Sequence, residues 1–229
     1  MCGRYTLIML ADIQRLFPWL SKSPDHGGAR YNIAPSQSVA AITDGDPGHL
    51  QSLHWGFIPH WAKDPAIGNR MINARAETLA EKPAFRDAFR SRHCVIPADG
   101  FYEWRRDAAG AKTPMHIRLK SGKCFGFAGL WEDWHDDDGH AIRSCTIITT
   151  RANALLKDIH DRMPVILRES DWSRWLGPST DPAKDFADIL APFPADEMEA
   201  YPVSPAVNSP SRDVPNLVER VEPFPTSLF

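Results

Sequence analysis

The chain has 229 residues, 43% of them hydrophobic, and its 26 Lys and Arg against 29 Asp and Glu give a formal net charge of -3. That is enough chain to bury a core without disulfide staples. No apolar run approaches the ~18 residues of a membrane span. The first apolar stretch is broken by Arg4, Asp12 and Arg15, so no signal peptide is expected. The four cysteines, Cys2, Cys94, Cys124 and Cys145, form no CxxC pair, which favours free thiols in a reducing, cytoplasmic setting. The charge is uneven: residues 60–125 carry 13 basic and 7 acidic side chains, and residues 126–200 carry 7 and 15. A basic middle suits a phosphate-tracking groove and equally suits an ordinary uneven surface.

Residues 1–9 read as a strand and residues 11–20 as a short helix with Leu16, Phe17 and Leu20 on its apolar face. Residues 39–42 and 51–57 read as strands joined by a turn over 44–48, and residues 62–72 as loop. A helix over 84–90 leads into a buried strand at Cys94-Val95-Ile96. Residues 101–105, 115–119, 125–131 and 141–149 alternate as strands do. Residues 152–159 read as a helix that Thr150 would cap. A strand at 165–167 and short helices at 171–176 and 184–190 complete the pattern. The 20 prolines disfavour a helical bundle, and the Pro-rich tail after about 210 is expected to wrap the surface without a core of its own. The fold class is therefore α+β: one domain over residues 1–229 with a mainly antiparallel, barrel-like β core and peripheral helices.

Chemistry begins at Met1-Cys2-Gly3. Loss of Met1 leaves a 1,2-aminothiol, an α-amine of pKa ~7.7–8.0 beside a thiol of pKa ~8.5. The amine attacks an aldehyde to give a Schiff base, and the thiol then closes a thiazolidine ring, which a lysine amine cannot do. Many chains begin Met-Cys without using it. In Asn73-Ala74-Arg75-Ala76-Glu77-Thr78, a strand would place Asn73, Arg75 and Glu77 on one face, either to hold a sugar and a phosphate or as an exposed face with a local Arg75–Glu77 pair. Glu103 lies among Phe101, Tyr102 and Trp104 after the Asp99-Gly100 turn signal. Desolvation there would suit general acid–base work, while an edge strand would turn it to water. His160 can shuttle protons or merely end a helix, and Arg162 can be a phosphate contact or a surface charge. Trp55, Trp61, Trp131 and Trp134 read as packing, although an exposed one could stack a base. The stretch 134–140 lacks Ca-loop spacing and reads as a hairpin loop. HExxH, Walker A, GxGxxG and GxSxG motifs are absent, so no cofactor and no metal are expected.

The order of these stretches resembles the SOS response-associated peptidase (SRAP) family. The matches run from Met1-Cys2-Gly3-Arg4-Tyr5 through Tyr31-Asn32-Ile33-Ala34-Pro35-Ser36-Gln37 and Trp55-Gly56-Phe57-Ile58-Pro59. They continue through the Asn73, Pro97-to-Trp104, Phe127-to-Trp131 and His160-to-Pro164 segments to residues 203–208. The resemblance implies covalent capture of abasic sites in single-stranded DNA through a thiazolidine at Cys2, shielding the lesion in the DNA damage response. Asn73 would hydrogen-bond the linkage, and Glu103 and His160 would assist ring opening and proton transfer. Arg4, Arg75 and Arg162 would contact DNA phosphates. Secondary AP lyase activity and peptidase-like self-processing are also implied. The expected protein is a monomer without membrane attachment, nucleoid-associated when bound to DNA. The alternative is an N-terminal-nucleophile cysteine hydrolase acting on peptide-like substrates, and a DNA-binding module with an incidental Cys2 is a further rival.

Overall fold

The computed structural model describes residues 2–9, 13, 20 and 28–222. Its centre is a closed, five-stranded mixed barrel. The strands are β3 (Ser38–Thr43), β4 (Asp46–Trp55), β6 (His93–Ala98), β9 (Phe125–His135) and β10 (Ala141–Arg151). Antiparallel pairs β4–β3, β3–β6, β6–β9 and β9–β10 run around the ring. A parallel contact between β10 and β4, at Ser144–His54 and Cys145–Trp55, closes it. This contact joins the two ends of the ring.

Every residue of β6 is buried, because its second face is covered by the short helix α2 (Trp172–Trp175; α1 is Arg86–Ser91 and α3 is Pro182–Asp185). Trp175 donates its indole N–H to the Cys94 carbonyl (2.9 Å), so this covering ring buries no unmet donor. A strand buried on both faces reads as a continuous apolar run rather than an alternation, which is the Cys94-Val95-Ile96 signal. Gly129 lets β9 lie close to its neighbours, since a Cβ there would stand 2.8 Å from both the Cys94 sulfur and the Thr146 carbonyl oxygen.

A second, antiparallel sheet lies against the barrel in the order β13-β8-β7-β1-β2. Its strands are β1 (Tyr5–Leu7), β2 (Arg30–Ile33), β7 (Gly100–Arg106), β8 (Lys112–Leu119) and β13 (Met198–Pro202). Aromatic rings join the layers: Tyr5 meets Trp55 and Phe127 edge-on at centroid distances of 5.4 and 5.6 Å, and Phe101 meets Phe127 at 6.1 Å. Each such fully buried ring contributes roughly 1.5–3 kcal/mol by area. Short strands β5 (Asn73–Arg75), β11 (Arg162–Pro164) and β12 (Ile166–Leu167) add to the flanks. β5 runs parallel to β10 and β11 antiparallel to it.

Several expectations change. The helix expected over 152–159 is a run of turns. Asn153, not Thr150, accepts the amides of Leu155 and Leu156, and Thr150 belongs to β10. Residues 65–70 of the expected loop form a 3-10 helix. The strand containing Asn73 ends at Arg75, and Glu77 lies in a 3-10 turn. The tail does have a core: Leu217 and Val207 are fully buried with Tyr102, Tyr201 and Val203. β2 and β13 were not foreseen as strands. The helix expected over 11–20 lies outside the described residues except at Ile13 and Leu20. The 134–140 stretch is the turn of the β9–β10 hairpin, where Asp136 accepts the amides of Asp138 and His140.

Candidate active site

The second residue of the chain is drawn into the seam between the two layers. β1 is short, and the Arg4 carbonyl still accepts the Tyr102 amide (2.9 Å), so Gly3 and Cys2 extend the line of β1 beside β7. Cys2 is fully buried. Asn73, at the start of β5, donates its side-chain amide to the Cys2 carbonyl (3.0 Å) and to the Ile72 carbonyl (2.8 Å). Its amide oxygen is buried and has no partner among the described residues. That is an acceptor held ready in a site where an unmet acceptor is costly.

Glu103 follows Tyr102 on β7 and is 2% exposed, which settles its two sequence readings in favour of burial. Burial pushes its carboxyl above the ordinary range, and the charge of His160 is among the influences that oppose this. The Cys2 thiol is likewise pushed up, first by burial and then by the negative charge of Glu103. The two groups therefore sit within electrostatic reach, and the thiol stays protonated until a base takes its proton. Such paired shifts in one enclosed seam are typical of acid–base sites.

His160 stands at the end of the turns before β11 with its side chain 30% exposed. Its Nδ1 accepts the Arg162 amide (3.0 Å) and also lies 2.9 Å from an Asp161 carboxyl oxygen. One nitrogen cannot accept the amide and donate to the carboxylate at once. The amide bond is fixed by the backbone, while Asp161 is 85% exposed, so whenever the ring is neutral the amide selects the tautomer with its proton on Nε2.

The three arginines have different settings. Arg75 is exposed, two residues along β5 from Asn73, and makes no ion pair among the described residues. Arg162 is mostly buried and forks onto Glu77 (2.7 and 2.9 Å), with a further bond to the Thr149 carbonyl (2.6 Å). Glu77 thus pairs with Arg162, 85 residues away, rather than with Arg75, and this bond holds its carboxyl below the usual range. Arg4 donates to the side-chain oxygen of Asn32 (3.0 Å) and to the carbonyls of Val207 (2.8 Å) and Asn208 (3.4 Å). Asn32 and Thr149 support this site without having been given a role in it, and Glu77 supports it through Arg162 rather than through Arg75. For Asn32 the sequence signal is its place in the family-matching stretch from Tyr31 to Gln37. Of the tryptophans, Trp55 and Trp134 are buried and Trp61 is 52% exposed.

A barrel-based α+β fold with Cys2 and Glu103 buried and Asn73 and His160 half-buried beside them defines the class. Residues 1–210 match the family described as SOS response associated peptidase (SRAP), and the chain belongs to that family. It is 49% identical over 224 residues to the abasic site processing protein YoqW of Bacillus subtilis, covering 96% of this chain and 99% of that one. It is 29% identical over 233 residues to the abasic site processing protein YedK of Escherichia coli, covering 96% and 100%. A crystal structure of a Bacteroides thetaiotaomicron protein superposes with a TM-score of 0.86 at 30% identity, covering 96% of this chain and all of that one. No helix among the described residues is long and apolar enough to cross a membrane.

Proposed function

We propose that this protein captures abasic sites in single-stranded DNA as a thiazolidine on Cys2, once removal of Met1 frees the α-amine. The observation that carries the proposal is that Cys2 and Glu103 are both buried within electrostatic reach of each other, with the Cys2 carbonyl anchored by Asn73. Relatives that align along nearly the whole chain and are named for abasic site processing favour this chemistry over the peptide-hydrolase alternative.

An abasic site is a closed sugar in equilibrium with an aldehyde. Protonated Glu103 suits donation to the sugar ring oxygen while the anomeric hydroxyl gives its proton to water, and the ring opens. The Cys2 amine then attacks the aldehyde carbon, water leaves, and a Schiff base forms. The thiol adds to the same carbon as its proton passes, by way of the Glu103 carboxylate, to the Schiff-base nitrogen, and the five-membered ring closes. Protein plus aldehyde gives adduct plus one water. The Asn73 amide oxygen, without a partner among the described residues, serves as an acceptor for the linkage, and His160 relays protons through Nε2. Arg75 is the best placed of the three arginines to meet a phosphate. Because the lesion lacks a base, backbone contacts and stacking by flanking bases carry recognition. The Schiff base also permits β-elimination, so strand nicking is proposed as a secondary activity. Loss of Met1 by self-processing, a monomeric state, and a cytoplasmic location on the nucleoid complete the reading.

The test is intact-mass spectrometry of the protein incubated with single-stranded DNA carrying one abasic site, beside undamaged DNA and a Cys2→Ala protein. The expected result is a heat-stable species equal to demethionylated protein plus DNA minus water, absent from both controls. No adduct from protein verified to begin at Cys2 would refute the reading.

A further inference from the structure

The carboxy-terminal segment is bonded to both strands that carry the reacting groups. Asn32, fully buried on β2, donates its side-chain amide to the carbonyls of Val207, Ser209 and Arg212 (3.2, 2.9 and 2.8 Å) while its oxygen receives Arg4. The Asp213 carboxylate accepts the amides of Tyr31 and Asn32 and the side chain of Arg30. On β7, Trp104 donates to the Asn208 side chain (2.8 Å), and the Tyr102 hydroxyl, already bonded to the Tyr31 carbonyl (2.8 Å), reaches towards Leu217. Glu103 lies between Tyr102 and Trp104. Arg4 follows Cys2 by two residues.

We infer that residues 205–218 form a strap that sets Cys2 against Glu103, with Arg4 as its positioning residue rather than a ligand of DNA. The inference rests on the capture reading above. Arg4 places three of its five N–H donors on oxygens of the protein, two of them strap carbonyls, and burial lowers its affinity for protons. A guanidinium tied in this way is held in one orientation by the fold. Its geometry is matched to several oxygens at once, which a lysine ammonium on a flexible stem cannot reproduce.

A phosphate contact and a positioning contact separate experimentally. DNA affinity and its salt dependence are read with single-stranded DNA bearing a tetrahydrofuran abasic analogue, which has no aldehyde. The capture rate is read at saturating abasic DNA. Proteins are full length with Met1 loss verified, and thermal melts confirm that each variant is folded. For Arg4→Ala the expected result is a saturating rate lowered about 10- to 100-fold, the scale of an angstrom-sized misplacement, with affinity and salt slope unchanged. Arg4→Lys, which keeps the charge, should be nearly as slow. Trp104→Phe, which removes only the indole donor to Asn208, should be slowed about threefold, a small part of that misplacement cost. An Arg4→Ala protein with the wild-type saturating rate would overturn the inference. So would a salt slope reduced by about 0.7, the signature of one lost single-strand phosphate contact, or a Trp104→Phe protein as fast as wild type. If wild type itself forms no adduct, the capture reading fails instead, and the two failures cannot be confused.

Discussion

The aromatic scaffold built on and around the barrel strands and the seam that holds Cys2 both bury their central residues, yet their contents differ in kind. In the scaffold, Trp55, Phe101 and Phe127 are fully covered, and the indoles that need partners have them: Trp55 bonds the Ile72 carbonyl (2.9 Å) and Trp175 the Cys94 carbonyl. In the seam, a thiol and a carboxyl are both pushed towards their neutral forms, and the Asn73 oxygen has no partner among the described residues. Burial stabilises the first region and costs stability in the second. A fold can carry the second because the first is closed and well matched, which is the usual relation between a stable scaffold and a reactive site.

The largest expected effect breaks the scaffold side of this comparison. Phe127 touches Tyr5, Phe101 and Phe125, so Phe127→Ala should cost about 3–5 kcal/mol in urea unfolding, the range for emptying a packed aromatic site. Capture per folded molecule should stay within about threefold of wild type, small on the scale of a misplaced reacting group, because the seam is held by polar bonds from the strap and β5. A loss of capture that outruns the loss of folded protein would mean that the Tyr5 ring, leaning on Phe127, sets the position of Cys2 and that the two regions are not separable.

A smaller effect tests the sheet that joins them. His116 is buried between Thr6 and Tyr201. Its Nδ1 lies 3.0 Å from the Tyr201 hydroxyl, which donates to the Val218 carbonyl (3.1 Å). Burial pushes its pKa down to about 3 from an ordinary 6.5. A base depressed in the folded state contributes stability that is present above pH 6.5 and lost as pH falls towards 3, because only the unfolded chain takes up the proton. Between pH 7 and 5 wild type should therefore lose about 2 kcal/mol more than His116→Gln. The lowered pKa of buried His93 and the raised carboxyls of Asp99 and Glu103 are common to both proteins and cancel. Equal losses in the two proteins would show that His116 charges in place.

The sequence made the barrel legible through strands with a strong local signature, the apolar run at Cys94 and the alternation from Phe125 and Ala141. It did not disclose the parallel closure of β4 on β10, because pairing across some 90 residues leaves no local trace. The stretch 152–159 reads as a helix because Leu155, Leu156 and Ile159 have helical spacing, yet Asn153 takes the first amides into a turn. A proline-rich tail looks coreless until Tyr102 and Tyr201 offer it a surface. At the site, the aminothiol could be read from two residues, since its chemistry lies within one amino acid and a cleavable methionine. The desolvation of Glu103 was one of two open readings, because strand neighbours do not say which face is covered. The environments of the arginines were beyond reach for the same reason as the barrel closure: Glu77 meets Arg162, and Arg4 meets Asn208, only through the fold.

The smallest expected effect on stability is also the sharpest test of the seam, because its sign runs against the usual consequence of mutation. Glu103 has its pKa raised by burial. Its contribution to stability is complete below the unfolded value near 4.5 and falls as pH rises through the folded value, where the folded protein must hold a buried charge or keep a proton that the unfolded chain has released. Glu103→Gln keeps the shape and cannot ionise. The variant should equal wild type in stability at pH 4 and exceed it by about 1 kcal/mol at pH 7, while capture slows by about 100-fold through loss of the proton donor and acceptor. Urea unfolding at the two pH values, paired with adduct formation at pH 7, reads both. Should the glutamine variant prove less stable at pH 7, the carboxylate must be stabilised where it sits, and the contrast between a packed aromatic scaffold and a costly seam would fail at the residue on which it most depends.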